Sequence, residues 1–262
     1  MALPLPFRRR PPLVGMVHLA ALPGAPGFAG DLAAVERAAA EEAEIIAAAD
    51  FEGVMVENFG DVPFYKSGLP AVTIAALTRC ALAVREAAPG LPLGINALRN
   101  DGMAALGIAV AVGAAFIRVN VLSGAMVTDQ GIIEGCAAEL LRARHALGAQ
   151  VAILADVAVK HAAPLHTLDL EASARDLVHR GGADALVVSG SGTGAPTDPG
   201  RIARVRAAVP GTPIFVGSGA TAETLAALGA DGYIVGTALK EGGRVDAARC
   251  GKLRAAADVL AT

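Results

Sequence analysis

The stretch PIFVGSGATAETLAALGADGYIVGTA, residues 213–238, contains one pattern twice. An apolar run ends in a glycine-containing tip, first at Gly217-Ser218-Gly219 and then at Gly236-Thr237. An alanine-rich segment of helical composition, near Ala222–Leu228, separates the two runs. Short apolar strands that alternate with helices are typical of βα units in a parallel sheet.

The same pattern occurs eight times along the chain. Strands are predicted at Leu13–Leu19, Gly53–Asn58, Leu93–Leu98, Phe116–Val121, Gln150–Val157, Ala185–Ser189, Pro213–Gly217 and Gly232–Val235. Eight βα units predict a closed parallel (β/α)₈ barrel, the TIM-barrel fold, whose strands all end at one mouth. The length of 262 residues suits one such domain. We expect a single barrel over residues 1–262, with residues 1–12 as an N-terminal extension.

The helices are predicted from the segments between the strands. They are expected near Asp31–Ala49, Pro70–Ala87, Asp101–Val112, Gly131–Leu147, Leu170–Arg180, Gly200–Ala208, Ala222–Leu228 and Asp246–Leu260, with long loops at 59–69 and 158–169. An open doubly wound sheet is the alternative, but its GxGxxG fingerprint is absent from the first turn, His18–Gly24. The glycine-rich turns instead follow the last three strands, where barrels bind phosphate.

The net charge and the amino-acid composition indicate what kind of molecule the protein binds. The net charge is −3, aromatic residues make up 3%, and there is no tryptophan, so a nucleic-acid surface is not expected. A small-molecule, anionic substrate is expected instead. No apolar stretch reaches the roughly 18 residues that cross a bilayer. The sequence is compatible with a homo-oligomer.

Cysteine usage and the N-terminus indicate the compartment. Cys80, Cys136 and Cys250 form no metal-type or redox-type pair, which favours a reducing cytosol. The arginines of residues 8–10 and the apolar run Leu13–Leu22 resemble a signal peptide, but Pro11-Pro12 and His18 do not fit one. We therefore expect a cytoplasmic protein.

The alternation of side chains along each strand predicts which residues line the mouth. In the fourth strand Phe116, Arg118 and Asn120 share one face, and the polar tip of that face should point into the barrel. The same reasoning places further side chains around the mouth, with Arg118 one layer below: His18, Glu57, Asn96, Asn120 and Asp156.

Two carboxylates are the best candidates for acid/base catalysis. A barrel mouth can bury one carboxylate and pair another with a cation, which separates their roles. We assign Glu57 and Asp156 to catalysis; the alternative is that either one only pairs with Arg118 or Lys160 as a structural network. His18 is a candidate proton carrier or neutral donor, and a hydrogen-bonded core histidine is the alternative.

Other polar residues are candidates for binding the substrate. Lys160 is grouped with the catalytic set, as a partner of a carboxylate or of phosphate, and a Schiff base is not favoured because Lys160 follows its strand. Amide and basic side chains suited to hydroxyl or carbonyl recognition are Asn58, Asn96, Arg118, Asn120 and His161. His161 and His166 have no metal-ligand spacing, so no metal or other cofactor is assigned, although a divalent metal is compatible with the sequence.

The glycine-rich tips predict an anion site. Glycine lets backbone N–H groups approach an anion, and a following helix adds its dipole. The predicted phosphate-binding residues are Gly217, Ser218, Gly219, Gly236 and Thr237. The loop after the sixth strand would add a third wall or a lid, with Ser189, Gly190, Gly192 and Thr193.

At these segments the chain resembles the BtpA/SgcQ family, within the ribulose-phosphate-binding barrel group. The resemblance covers nearly the whole chain, and its most specific segments are ENFGDVPF at residues 57–64 and VKHAAPL at residues 159–165. Further matches are VGMVHL at 14–19, FIRVNV at 116–121 and GSGTG at 190–194. The resemblance implies the barrel fold, and it makes the loops after the second and fifth strands candidate lids or specificity elements.

Two functions remain open. The first is an enzyme that acts on a small phosphorylated sugar or nucleoside-like metabolite by acid/base chemistry, through N-glycosidic hydrolysis or transfer or through an isomerase or aldol-type step. The family's labels, photosystem I biogenesis protein and nucleosidase, imply different activities. The second function is therefore a non-catalytic assembly or regulatory factor that uses the barrel as a scaffold.

Overall fold

The structure is a computed structural model that describes residues 2–9, 11–165, 169–190 and 197–260. Its strands are β1 (Leu13–His18), β2 (Gly53–Glu57), β3 (Leu93–Asn96), β4 (Phe116–Val119), β5 (Ala125–Thr128), β6 (Gly131–Glu134), β7 (Ala152–Asp156), β8 (Ala162–Pro164), β9 (Ala185–Val188), β10 (Ile214–Val216), β11 (Gly232–Val235), β12 (Lys240–Glu241) and β13 (Arg244–Val245). Its helices are α1 (Leu32–Ala48), α2 (Ala71–Ala87), α3 (Gly102–Val112), α4 (Ala137–Ala146), α5 (Leu170–His179), α6 (Pro199–Ala208), α7 (Leu225–Leu228) and α8 (Ala247–Leu260).

Eight of the strands form a closed parallel barrel. Around the barrel they follow the order β1, β2, β3, β4, β7, β9, β10, β11, and β11 pairs again with β1. The register places His18 beside Glu57 and Glu57 beside Asn96, so consecutive strands carry their polar tips to the same level. The predicted TIM-barrel fold is confirmed.

The barrel interior is packed with side chains from alternate strand positions. Val14, Met16, Met55, Phe116 and Phe215 belong to one buried cluster inside the barrel. The other side chains of the same strands pack under the helices in a separate, larger cluster. This division follows from the two-residue period of a strand, and it confirms the predicted inward face of β4.

The N-terminal extension covers the end of the barrel away from the mouth. The Phe7 ring centroid lies 5.3 Å from that of Phe116 and 5.7 Å from that of Phe215, so Phe7 packs on the interior cluster. The Leu3 amide donates to the Asp184 carboxylate at 2.6 Å. The bottom of the barrel is therefore filled by apolar and aromatic side chains.

One predicted helix is wrong at its beginning. The segment predicted as a helix from Gly131 to Leu147 starts with strand β6, which pairs with β5, and the helix α4 begins only at Ala137. The predicted loop 158–169 contains β8, which pairs with β5 on its other side. Ile133 is buried with Val121 and Val159, and β-branched residues favour this extended packing. We call this three-stranded sheet of β6, β5 and β8 the flap.

The last predicted helix before β11 is shorter than expected. It spans Leu225–Leu228 rather than Ala222–Leu228, because the segment before it is a turn in which the Thr221 amide donates to Thr224 Oγ1 at 2.9 Å. In the described part of the chain, no helix has both the length and the apolar character needed to cross a membrane.

Candidate active site at the barrel mouth

A cavity of about 280 Å³ opens at the carboxyl ends of the barrel strands. We call it the mouth cavity. It brings together tips from β1, β2, β4, β10 and β11 and the loop after β7. Its polar and glycine lining consists of His18, Glu57, Arg118, Lys160, Gly217, Ser218, Gly219, Thr221, Gly236, Thr237 and Arg249. Catalytic and phosphate-binding candidates from distant parts of the chain therefore share one space.

His18 and Glu57 lie side by side in this cavity. His18 Nε2 is 3.5 Å from Glu57 Oε2, and the imidazole stacks on the Phe59 ring with centroids 4.5 Å apart. Burial lowers the pKa of His18 to about 4, although the Glu57 carboxylate opposes that shift. At this pKa His18 is neutral at pH 7, a state that suits a hydrogen-bonding group rather than a cation.

The other oxygen of Glu57 is held by an amide. Asn96 Nδ2 donates to Glu57 Oε1 at 2.5 Å. A carboxylate only accepts hydrogen bonds, so the amide nitrogen must face it and the amide oxygen must point elsewhere. Asn96 Oδ1 is buried and has no partner among the described residues. The pair orients Glu57 and leaves one buried acceptor unused.

Asp156 forms a buried ion pair rather than a free carboxylate. It accepts two hydrogen bonds from Arg118, at 2.8 and 2.9 Å, and both side chains are almost completely buried. Burial alone would lower the pKa of Arg118, but the charge and hydrogen bonds of Asp156 raise it. Asn120 Nδ2 and Ser189 Oγ lie farther from Asp156, at 3.4 and 3.5 Å. Of the two roles open to Asp156, this geometry favours positioning Arg118.

Lys160 is a half-buried cation at the cavity wall. Within the described ranges, no carboxylate lies within 4.0 Å of its ammonium. Burial, followed by the nearby positive charge of Arg118, lowers the pKa of Lys160. A bound anion would reverse that shift, because an opposite charge stabilises the protonated form.

The two glycine loops, after β10 and β11, also line the mouth cavity. A Cβ atom on Gly217 would lie 2.5 Å from Val187 Cγ1 and 3.0 Å from Arg118 Nη2. A Cβ atom on Gly236 would lie 2.9 Å from His18 Cε1. Neither position accepts a side chain without displacing a neighbour, which explains the glycines. Gly217 and Gly236 therefore let the loops pass close to Arg118 and His18.

Several predicted site residues lie elsewhere. Asn120 and Asp156 line a second cavity, described below, and not the mouth cavity. The Asn58 side chain accepts a hydrogen bond from the Leu98 backbone N–H at 2.7 Å and donates one to the Asp61 carboxylate at 2.9 Å. Asn58 therefore connects the loops after β2 and β3. His161 is exposed and lines a shallow pocket beside Arg99.

The loop after β9 is described only in part. Ser189 and Gly190 are buried at its start. Gly192 and Thr193 lie outside the described residues. Thr197 Oγ1 donates to the Ser218 carbonyl at 2.8 Å, which joins the end of this loop to the glycine loop after β10. No group of three potential metal-ligating side chains occurs within the described ranges.

Two further residues line the mouth cavity, and a third supports its Lys160 loop from outside. Phe59 stacks on His18, and Arg249 reaches the cavity from α8. Arg99 is 6% exposed and its Nη2 donates to the Lys160 carbonyl at 2.5 Å. The sequence pattern did not single out Arg99, because it comes three residues after the polar tip of its strand.

Comparisons with solved structures place the chain among the TIM-barrel proteins. N-(5'-phosphoribosyl)anthranilate isomerase from Pyrococcus furiosus aligns with a TM-score of 0.56 at 14% identity, over 94% of this chain and 98% of that one. KGPDC from Streptococcus mutans aligns with a TM-score of 0.59 at 13% identity, over 96% and 99% of the two chains. At these identities the likeness is one of fold.

The family is defined by sequence. The chain belongs to the BtpA family, whose family model matches residues 9–258. Photosystem I biogenesis protein BtpA of Synechocystis is 45% identical over 92% of this chain and 85% of its own length. An uncharacterised protein of Thermococcus kodakarensis is 51% identical over 90% of both chains.

Proposed function

We propose that this protein is an enzyme that binds a small phosphorylated sugar or nucleoside-like metabolite in the mouth cavity and transforms it by acid/base chemistry at Glu57. The observation that carries the proposal is the arrangement around Lys160. Its positive charge has no carboxylate within 4.0 Å among the residues that the structure describes, and it lines the same cavity as Glu57 and two close glycine loops. This combination fits a ligand with an anionic end and a reacting polar end.

The anionic end would be a phosphate group. The Gly217 N–H already donates to the Val188 carbonyl at 3.0 Å, so the N–H groups that would face a tetrahedral anion are those of Gly219, Gly236 and Thr237. Lys160 would supply charge. The solved isomerase of this fold is named for a phosphoribosyl compound. For this chain, the proposal depends on its own loops and on the position of Lys160.

The reacting end would lie against Glu57 and His18. Glu57 would take or return a proton, while the neutral imidazole of His18 would donate to a carbonyl or hydroxyl oxygen. The Arg118–Asp156 pair would hold a fixed positive group at the base of the cavity. These roles serve an isomerase or aldol-type step as well as N-glycosidic cleavage.

The size of the cavity favours a sugar phosphate. A volume of about 280 Å³ corresponds to about nine water molecules at about 30 Å³ each. A pentose phosphate fits within this volume. We therefore infer that the sugar phosphate part lies inside.

A binding experiment tests the anion site. Isothermal titration of ribose 5-phosphate should give binding that ribose does not, and Lys160→Gln should weaken it by about ten- to a hundredfold. Lys252→Gln, at an exposed position of α8, is the matched control and should bind as the wild type does. Equal affinity for ribose and its phosphate, or an unaffected Lys160→Gln, would contradict the anion site.

A turnover experiment tests catalysis separately. The wild-type protein should consume a compound from a metabolite extract, and Glu57→Gln should lower that rate by about 10²- to 10⁴-fold while retaining phosphate binding. Equal rates for the two proteins would rule out Glu57 as the acid/base group.

A non-catalytic role is the second candidate, and the name of the 45% identical Synechocystis relative favours it. In that case the mouth cavity would bind a metabolite that regulates assembly. Binding of a sugar phosphate by the wild type, with no consumption of any compound in the extract, would support this alternative.

A further inference from the structure

A second cavity of about 600 Å³ lies between α4 and α5, beneath the flap. We call it the lateral cavity. Its inner end is formed by Asn120 and Asp156, and its walls include Ala138 from α4 and Ser173 from α5. It is more than twice the volume of the mouth cavity.

The lateral cavity fills a gap in the ring of helices. Each other pair of neighbouring helices packs together around the barrel, including α8 with α1. The fully described helices α4 and α5 make no more than isolated contacts with each other. The gap leads from the side of the molecule to the tips of β4 and β7, so it is a separate approach to the polar centre.

An unused acceptor marks the inner end of the lateral cavity. Asn120 is 3% exposed, and its Nδ2 faces the Asp156 carboxylate at 3.4 Å. Because a carboxylate only accepts, the amide oxygen is the atom left over. Asn120 Oδ1 is buried without a partner in the described parts of the chain. A buried acceptor without a donor destabilises the folded protein, and a ligand with an O–H group would satisfy it.

The two cavities share one wall. Arg118 lines the mouth cavity and Asp156 lines the lateral cavity, and the two side chains are joined by their bidentate ion pair. A ligand in either cavity would therefore lie against the same pair from opposite sides.

The charges of the lateral cavity select against an anion. Its inner end is formed by the neutral Asn120 and by Asp156, whose two oxygens accept from Arg118, whereas its outer walls carry both signs, with Arg180 3.9 Å from Asp176. A neutral ligand with several hydroxyl donors matches this lining best.

We propose that the lateral cavity binds a second small molecule, neutral and polyhydroxylated, whose hydroxyl donates to Asn120 Oδ1. The inference rests on the proposed function for the identity of the first ligand. Occupation of both cavities would place two molecules on either side of the Arg118–Asp156 pair.

NMR titration of the whole protein tests the lateral site. Glycerol is the probe, and 1,4-dioxane, which has no hydroxyl donor, is the control compound. Glycerol should shift the amide signals of residues that line the lateral cavity, and dioxane should not. Ala138→Trp should block the cavity and weaken glycerol binding by about tenfold or more. Ala146→Trp, exposed on the same helix, should bind glycerol as the wild type does.

The outcomes separate the two proposals. Ser173→Trp blocks the cavity from α5 and replaces Ala138→Trp as the blocking variant if Ala138→Trp does not fold. Equal shifts with dioxane, or glycerol binding that survives both blocking variants, would overturn the lateral site. Ribose 5-phosphate should bind Ala138→Trp as tightly as the wild type. If ribose 5-phosphate does not bind the wild type, the mouth-cavity proposal is contradicted, and this result does not depend on whether glycerol binds.

Discussion

His18 is held neutral by its surroundings. The imidazole is buried between Glu57 and the ring of Phe59, and a Cβ atom on Gly236 would touch it. Desolvation outweighs the attraction of the Glu57 carboxylate, so the pKa of His18 falls to about 4. A neutral donor at this place suits recognition of a carbonyl or hydroxyl oxygen.

The His18 pKa has a consequence for stability. Its value in the folded protein lies below the 6.5 of the unfolded chain, so the unfolded chain binds the proton more tightly between pH 6.5 and 4. The free energy of unfolding should therefore fall as pH decreases through that window, by about 3 kcal/mol from this group. Urea unfolding at several pH values should show a smaller loss for His18→Gln. Identical pH dependence of the two proteins would contradict the buried neutral imidazole.

The Arg118–Asp156 pair makes a second prediction. Asp156→Asn leaves Arg118 buried without its counter-charge, and such changes cost about 3–5 kcal/mol. Chemical denaturation should show a loss of this size for Asp156→Asn. The double variant Arg118→Met/Asp156→Leu should recover much of it, because no charge is then left unpaired. A single variant as stable as the wild type would show that the pair is not structurally important.

Residue-level prediction was most successful where strand geometry alone decides the outcome. The alternation in β4 correctly placed Phe116 and Arg118 on the inner face. The same reasoning could not decide which carboxylate pairs with Arg118. That choice depends on the register between β4 and β7, which sets Arg118 beside Leu154 and brings Asp156 within reach. Register between distant strands is not encoded in a local pattern.

The loops after β10 and β11 make a prediction at the level of elements. In Gly217→Ala the new methyl group would meet Val187 and Arg118, so the loop has to shift. Affinity for inorganic phosphate should fall by about tenfold or more, by calorimetry. Gly251→Ala is the matched control, since a Cβ atom there meets open space on α8. It should leave phosphate binding unchanged and raise helix stability by up to about 1 kcal/mol. Unchanged phosphate affinity in Gly217→Ala would contradict the loop's role.

The flap is the element that sequence reasoning missed. The sequence predicts a helix from Gly131 to Leu147 that includes Ile132 and Ile133, and an alanine-rich helical segment follows them directly. The strand forms because Ile133 packs on two residues from other loops. Val121 follows β4, and Val159 follows β7. Long-range packing here decides between helix and strand for a short apolar run, which periodicity alone does not distinguish.

At the scale of the whole molecule, the closed barrel turns a linear repeat into one site. Residues from His18 to Arg249 line one cavity because eight strands end at the same level. The N-terminal extension fills the opposite end with Phe7, so the mouth is the open end of the barrel. The expected single opening is nevertheless divided in two by the Arg118–Asp156 pair, since Asp156 and Asn120 face the lateral cavity.

The central claim is that the mouth cavity binds the phosphate group of its ligand between Lys160 and the glycine loops. A crystal structure of the wild-type protein with ribose 5-phosphate tests this most directly. The account predicts the phosphate on backbone N–H groups of Gly219, Gly236 and Thr237, with the Lys160 ammonium beside it and the sugar directed toward Glu57. A phosphate bound outside the mouth cavity, or a sugar directed away from Glu57, would contradict it.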